Sequence, residues 1–383
     1  GLGDEKLNAY YYPQVLSNAT LTWEKSKSWN FGLDASALNY RIDMSLDYFL
    51  TNTDDVIWTQ SLPIVNGGDV ISGKPFTMNT NIAETRNHGI ELTLNTKNIV
   101  TRDFTWSSTL TLTRNWEKVK SLGAGASDYV THGDYTLHVG DPIKSFYGYA
   151  LDGIWQYGQE ADAAVFGKAP GDLRVSIPNM RKVSDGVWEK VYPDQLDDNG
   201  NPITRTFDKD NPYAVSDTDR QIIGHASPDW TIGFNNTFTY KWFDLSVYMY
   251  YRGGQMIKYN MMTQYDSKGG AFPAYFDYWT KDNPSNDFPA LDANRDWRND
   301  TYHSSLAYQE GSFFKIKNIT LGYTLPKVAC NKMRIQNLRL YGTLTNPLVH
   351  ATNKMLKDYD PEMNGQLNNP LTKQLVFGLS LTL

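Results

Sequence analysis

Along much of this chain, apolar and small polar residues take turns. The ending "TKQLVFGLSLTL" sets Leu375, Phe377, Leu379, Leu381 and Leu383 against Val376, Gly378, Ser380 and Thr382. Successive side chains of an extended backbone point to opposite faces, so this stretch predicts a strand with one apolar stripe and one small or polar side. The pattern recurs in "WNFGLDASA" (Trp29, Phe31, Leu33) and "YRIDMSLDYFL" (Ile42, Met44, Leu46, Tyr48, Leu50), joined by a tight turn at Leu38-Asn39-Tyr40. It returns in "GIELTLN", "FTWSSTLTLTRNW", "SFYGYALDGIW", "DWTIGFNNTFTY", "FDLSVYMYY", "IKNITLGYTLP" and "NLRLYGTLTN". These make about ten strands of about ten residues, the length a tilted strand needs to cross a bilayer, where soluble strands average nearer five or six. The alternate positions carry Thr, Ser, Asn and Gly with Arg41, Asp43 and Arg339, groups suited to a wet lumen. The prediction is an all-β, antiparallel transmembrane β-barrel. A soluble β-sandwich also keeps one apolar face per strand, so a soluble all-β carbohydrate-binding module remains as the alternative.

The connections fall into two kinds. Some are very short, at Leu38 to Tyr40 and around Lys241; others are long, approximately 52–80, 117–142, 156–228, 252–311 and 346–371. Short turns alternating with long loops are what an outer-membrane barrel shows, the turns periplasmic and the loops extracellular. The loops are rich in Pro, Gly, Asn, Asp and aromatics, a composition that packs and binds.

Composition bears on this picture at several points. A content of 40% hydrophobic and 20% charged residues reads by default as a soluble globular chain, but a barrel hides its lipid face in alternate positions and averages out as polar. No run of eighteen apolar residues exists, which excludes a transmembrane helix. The aromatic share of 14% fits girdles at two membrane interfaces, or stacking platforms for sugars. A net charge of −6 leaves no basic stripe for nucleic acid. The single cysteine, Cys330, excludes an internal disulfide and is expected to sit in a periplasmic turn without a chemical role. The opening "GLGDEKLNAYYYP" has neither Met nor a leader pattern, which points to a processed product or a fragment.

Several stretches together, "LTWEKSKSWNFGLD", "ETRNHGIELTLN", "FTWSSTLTLTRNWEKV", "VGDPIKSFYGYALDGIWQ", "APGDLR", "DRQIIGHASPDWTIGFNNTFTYKWFDLSVYMYYRGGQ", "GSFFKIKNITLGYTLP" and "FGLSLTL", resemble the C-terminal part of SusC/RagA-type TonB-dependent transporters of Gram-negative outer membranes. The resemblance runs in the family's order over nearly the whole chain. It implies a 22-stranded barrel with long extracellular loops, of which residues 1–383 form the C-terminal part of one barrel domain. A plug domain and a TonB-contacting segment, which nothing here resembles, would precede Gly1. The implied activity is import of nutrient oligosaccharides or peptides, energised through TonB, with a SusD-like lipoprotein as cap and outer-membrane lipid around the wall. Family members usually end in an aromatic residue; this chain ends in Leu383, leaving Phe377 to mark the terminal strand.

Three groups of residues are candidates for specific chemistry. "DKDNPYAVSDTD" places Asp208, Asp210 and Asp219 at positions one, three and twelve of an EF-hand-like spacing, which would hold a structural calcium, although Pro212 and Tyr213 replace a ligand and the turn glycine. The bland reading of that segment is an acidic solvated loop. Among the loop aromatics, Trp155, Tyr157, Tyr278, Trp279 and Trp297, with Arg298, are the candidates for stacking on and hydrogen-bonding to substrate. The same rings could instead fill loop cores or anchor a docked lipoprotein. Neither G-x-S-x-G nor H-E-x-x-H occurs, so no enzyme is expected. His132 with Asp134 in "THGD" is the one dyad that would revive a ten-stranded outer-membrane protease.

Overall fold

A computed structural model describes residues 15–62, 68–69, 74–123, 126–263, 276–291 and 302–383. Nine long strands follow one another in sequence and in space: β1 (Lys25–Ala37), β2 (Ile42–Ser61), β3 (Thr77–Val100), β4 (Phe104–Leu122), β5 (Trp230–Tyr240), β6 (Phe243–Gly253), β7 (Phe313–Thr324), β8 (Asn337–Ala351) and β9 (Gln374–Thr382). A two-residue strand, Val15–Leu16, pairs in parallel with the start of β3 and completes a ten-stranded sheet. Two of the expected boundaries move. "SFYGYALDGIW" does not span; it breaks into the short strands Ser145–Gly148 and Ala150–Ile154 inside a connection. The connection expected over 52–80 is shorter, because β2 runs on to Ser61 and β3 already begins at Thr77.

The chain divides into two compact units, Gly1–Phe31 with Tyr48–Gly89 and Trp116–Ser145, and Gly32–Asp47 with Ile90–Asn115 and Phe146–Leu383. Strands β1, β2, β3 and β4 each contribute a portion to both. In the larger unit the apolar positions meet in rows across the ladder. Leu110 stands opposite Phe234 and Phe234 opposite Met249; Leu245 pairs with Leu321, and Leu340 with Leu379. Short connections close one end of this ladder. Leu38, Asn39 and Tyr40 all take positive φ, and so does Lys241, so each reversal is made in the left-handed region within a few residues.

The apolar rows are the exposed ones. Leu321 is 55% exposed, Leu379 60% and Phe377 78%. The large buried apolar residues gather instead in the connections of the larger unit, around Phe288, Met262 and Leu306, and in the smaller unit where the ends of β3 and β4 meet the following hairpin, around Val119 and Leu137. A soluble sandwich would bury its apolar stripe against a second layer, and none covers this face among the described residues. Lipid is the solvent in which such a face is stable.

One polar cluster interrupts the apolar face. Ser108 and Asn236 occupy apolar-face positions, and both are buried. The Asn236 side-chain carbonyl accepts from Ser108 Oγ (2.7 Å) and Trp106 Nε1 (3.0 Å), and Asn98 Nδ2 donates to Ser108 Oγ (2.7 Å). Each group satisfies another, as hydrocarbon surroundings require. Replacing Asn236 by Leu removes one acceptor from two donors and is expected to destabilise the folded protein by about 1–3 kcal/mol. Urea unfolding in detergent measures this; an unchanged midpoint would mean that the cluster contributes nothing.

A bulge sets the inward-facing charge. Register shifts around Lys317 against both β6 and β8, so Lys315 falls on the same face as Thr320, away from Leu321. Lys315 is fully buried there, with Nζ 2.6 Å from Asp360 and 2.7 Å from Glu362. Lys317 also pairs with Glu362. The connection 352–373 is thereby strapped to the polar face of the sheet.

Candidate functional site

The connection between β4 and β5 folds into a small assembly of its own. A six-residue helix, Glu160–Val165, and three antiparallel strands, Met180–Ser184, Val187–Leu196 and Pro202–Phe207, stand beside the paired strands Ala150–Ile154 and Leu173–Ser176. Between them is a cleft of about 420 Å³. Its wall combines three rings, Trp155, Phe166 and Trp188, with two ion pairs, Arg174 to Asp152 (3.1 Å) and Lys182 to Asp162. Trp155 stacks on Phe166 at 5.6 Å, and the Arg174 guanidinium lies over the Trp155 ring at 5.4 Å.

Asp162 organises this wall. Its carboxylate accepts from Trp188 Nε1 (2.9 Å) and the Gly186 N–H (3.1 Å) besides Lys182. Burial alone would raise its pKa, but those donors, Lys182 first, hold it below the ordinary carboxylate range. The arrangement offers an apolar floor with both signs of charge at the rim, a surface that can stack on a ring or an apolar side chain and bond the polar groups beside it. Sequence reasoning took Trp155 from this site and missed Trp188, Phe166, Arg174, Asp162 and Lys182. A tryptophan in the otherwise polar hairpin "SDGVWEKV" was the available signal.

The predicted aromatics separate into two groups. Trp155 (3% exposed) and Trp279 (7%) are core residues; the Trp279 indole donates to Gln156 Oε1 (2.8 Å) and its ring belongs to the connection core with Tyr149, Phe276 and Phe288. Tyr157 (54%) and Tyr278 (37%) lie at the surface, Tyr157 with its ring 5.2 Å from that of Trp279. Trp297 and Arg298 lie outside the described residues.

The calcium spacing does not become a calcium geometry. Asp208 Oδ1 accepts the N–H groups of Asp210 (2.9 Å) and Asn211 (2.8 Å) in an exposed turn. Asp219 is fully buried elsewhere: it pairs with Lys190, accepts from Tyr213 Oη (2.6 Å), and caps the N–H of Ser216 (2.8 Å). Tyr213, at the position where the loop glycine would turn, is what carries Asp219 inward; burial pushes the Tyr213 hydroxyl far above its ordinary pKa. Among the described residues no group of three or more His, Cys, Asp or Glu side chains is placed to hold a metal.

His132 and Asp134 sit at the exposed tip of the hairpin Val130–His132 and Tyr135–Leu137. Further along the same connection His138 Nδ1 lies 2.6 Å from Asp141, and His225 Nε2 lies 3.9 Å from Asp229. Cys330 is buried in the six-residue helix Lys327–Lys332 on the connection after β7, with Sγ 3.6 Å from the Leu325 carbonyl oxygen.

No family model matches the chain. Its sequence is similar to the TonB-dependent receptor P3 of Formosa agariphila, with 29% identity over 393 residues, 99% of this chain and 34% of that receptor. It is also similar to the TonB-dependent receptor SusC of Bacteroides thetaiotaomicron, with 27% identity over 96% of this chain and 32% of that receptor. Among solved structures it resembles a chain of the RagAB peptide transporter, with a TM-score of 0.67 and 23% identity, covering 94% of this chain and 36% of that one. The chain spans about a third of the length of the curated relatives it matches. The resemblance drawn from the sequence motifs is borne out by these relatives, and the fold is that of antiparallel strands from a transmembrane β-barrel. The named relatives are receptors and transporters, not enzymes.

Proposed function

Starting from a chain that matches SusC-type TonB-dependent receptors along nearly its whole length, we propose that the intact protein imports nutrient oligosaccharides across the outer membrane. Import is driven through TonB, with the long connections facing outward and a SusD-like lipoprotein seated on them. Peptides are the second substrate class, because a structural relative is described as a peptide transporter. The observation that carries the reading is the connection assembly. Its own core holds a cleft of aromatic floor and charged rim in place, and surface aromatics, Tyr157 and Tyr278, remain beside that core. Such a rigid, amphipathic surface fits reversible capture without covalent chemistry.

Changing Tyr157 and Tyr278 together to Ala is expected to lower uptake of the cognate substrate about tenfold, at about 0.5–1.5 kcal/mol for each lost stacking contact, while assembly in the membrane is unchanged. Growth on single oligosaccharides and peptides, with affinity purification from native membranes, measures substrate and partner together. Normal growth of the double variant on every substrate the wild type uses would remove the capture role of these connections. Purification without any lipoprotein would remove the lid.

A further inference from the structure

The outward face of the smaller unit changes character within two residues. On β1 the outward positions pass from Phe31 and Trp29 to Lys27 and Lys25, and on β4 from Trp116 to Lys118 and Lys120. On β3 they pass from His88 to Arg86 and Glu84, and on β2 from Tyr48 and Leu50 to Asn52 and Asp54. Cross-strand contacts fix the levels. The His88 ring is stacked 5.4 Å from Trp116 and edge-on 6.4 Å from Tyr48. One step beyond, Arg86 Nε donates to Asn52 Oδ1 (2.9 Å) and Lys27 reaches Asp54 (3.2 Å); another step on, Lys120 faces Glu84 (3.6 Å).

The first level past the rings therefore carries Lys27, Arg86 and Lys118, with the neutral Asn52 among them. Across both levels five cations (these three with Lys25 and Lys120) face three carboxylates (Asp54, Asp55 and Glu84), an excess of two positive charges on a chain whose formal charge is −6. The aromatic level marks the edge of the hydrocarbon: Trp116 stands ten residues from Trp106 on the same face of β4, the span of a tilted crossing. Each further outward level rises about 6–7 Å along the strand, which places the cations at headgroup depth, their stems running along the apolar surface.

We propose that Lys27, Arg86 and Lys118 form a binding row for the phosphate groups of lipid in the leaflet nearest the long connections. Asp54 meets only the Lys27 end of the row; phosphate supplies Arg86 and Lys118 with a multidentate anionic acceptor at the height where acyl chains hold it. The row is independent of any transported substrate, so failure of the import reading leaves it untouched.

Native mass spectrometry of the intact protein in mild detergent tests it, by titration with monophosphoryl lipid A and with the same lipid stripped of its phosphate. The wild type is expected to hold the phosphorylated form about 100-fold more tightly, less so at high salt. The Lys27→Gln/Arg86→Gln/Lys118→Gln variant should lose that difference, while Lys209→Gln, an exposed loop change, should keep it. Equal affinity of the wild type for both lipids, or full retention by the triple variant, overturns the proposal. Should the triple variant fail to assemble, Arg86→Gln alone decides: a loss of about fivefold supports the row, and no loss overturns it.

Discussion

Arginine at Leu110 or Phe234 is expected to stop the protein from assembling in the membrane, whereas arginine at the adjacent Thr109 is expected to be tolerated. Leu110 and Phe234 face each other on the apolar side of the ladder, about midway between the Trp106 and Trp116 levels of β4. An arginine near the bilayer midplane costs about 2–4 kcal/mol, and near an interface about 0–1. Thr109 lies on the other face, where its hydroxyl donates to Asn95 (2.8 Å). Heat-dependent gel mobility of the membrane fraction ranks the variants. Equal assembly of Leu110→Arg and Thr109→Arg would remove the assignment of faces.

Loss of the Lys315 cation should release the strap over 352–373. The ammonium is completely buried between Asp360 and Glu362, and its removal leaves two carboxylates facing each other with only Lys317 to help. Breaking one side of such a buried cluster costs about 3–5 kcal/mol. Lys315→Met should therefore open the segment to protease, and adding Asp360→Asn and Glu362→Gln should restore much of its protection. Gly365 shows how closely the strap lies: at its φ of 84° an added Cβ would come 2.0 Å from the Lys258 carbonyl oxygen. The cluster also sets a pH limit. Burial would raise the Glu362 pKa, but hydrogen bonds from Lys315 and Lys317 outweigh it and hold the group below its ordinary 4.5. A depressed carboxyl stabilises the fold above its unfolded pKa and ceases to do so as pH falls through the lowered value. Protease resistance of 352–373 is thus expected to persist at pH 5–8 and to fall in the range below 4.5. Loss of resistance already near pH 6 would point to a different group.

The wall was largely legible because period-two alternation is local. Leu375 to Leu383 and Ile42 to Leu50 declare their faces without knowledge of any partner. Alternation failed where backbone geometry changed its phase. Lys315 shares odd numbering with Ile319 and Leu321, and only the bulge at Lys317 turns it to the opposite face. The two lysines at odd positions were the warning. The connections were legible in composition but not in role, since a ring in a Pro- and Asn-rich segment says nothing of its own exposure. Trp279 and Tyr278 are neighbours in sequence, one in the core and one at the surface. The environment of the calcium-like spacing was hidden for a related reason: Asp219 finds its partner in Lys190, 29 residues upstream, and no local pattern announces a buried ion pair across that distance. The basic row was within reach, since it continues the alternation of β1, β3 and β4 beyond their last apolar residue.

The connection core has a consequence for the order in which the protein can fold. It gathers Tyr149 and Leu173, then Met262, Phe288 and Leu306, and finally Met355, from three connections that strands β5 to β8 separate. The Tyr149 N–H donates to Ser305 Oγ across 156 residues of chain. Closing loops of that size before the intervening strands pair would cost chain entropy that a few side-chain interactions cannot offset, whereas the hairpins β1–β2, β3–β4 and β5–β6 each close over a few residues. Those hairpins therefore form first, and the three connections meet in one core once β5 to β8 have paired. The cleft between Trp155 and Trp188 lies within the first of these connections and meets that core through Ile154 and Leu173, so a fault anywhere from β5 to β8 would surface as a cleft whose supporting core is left open.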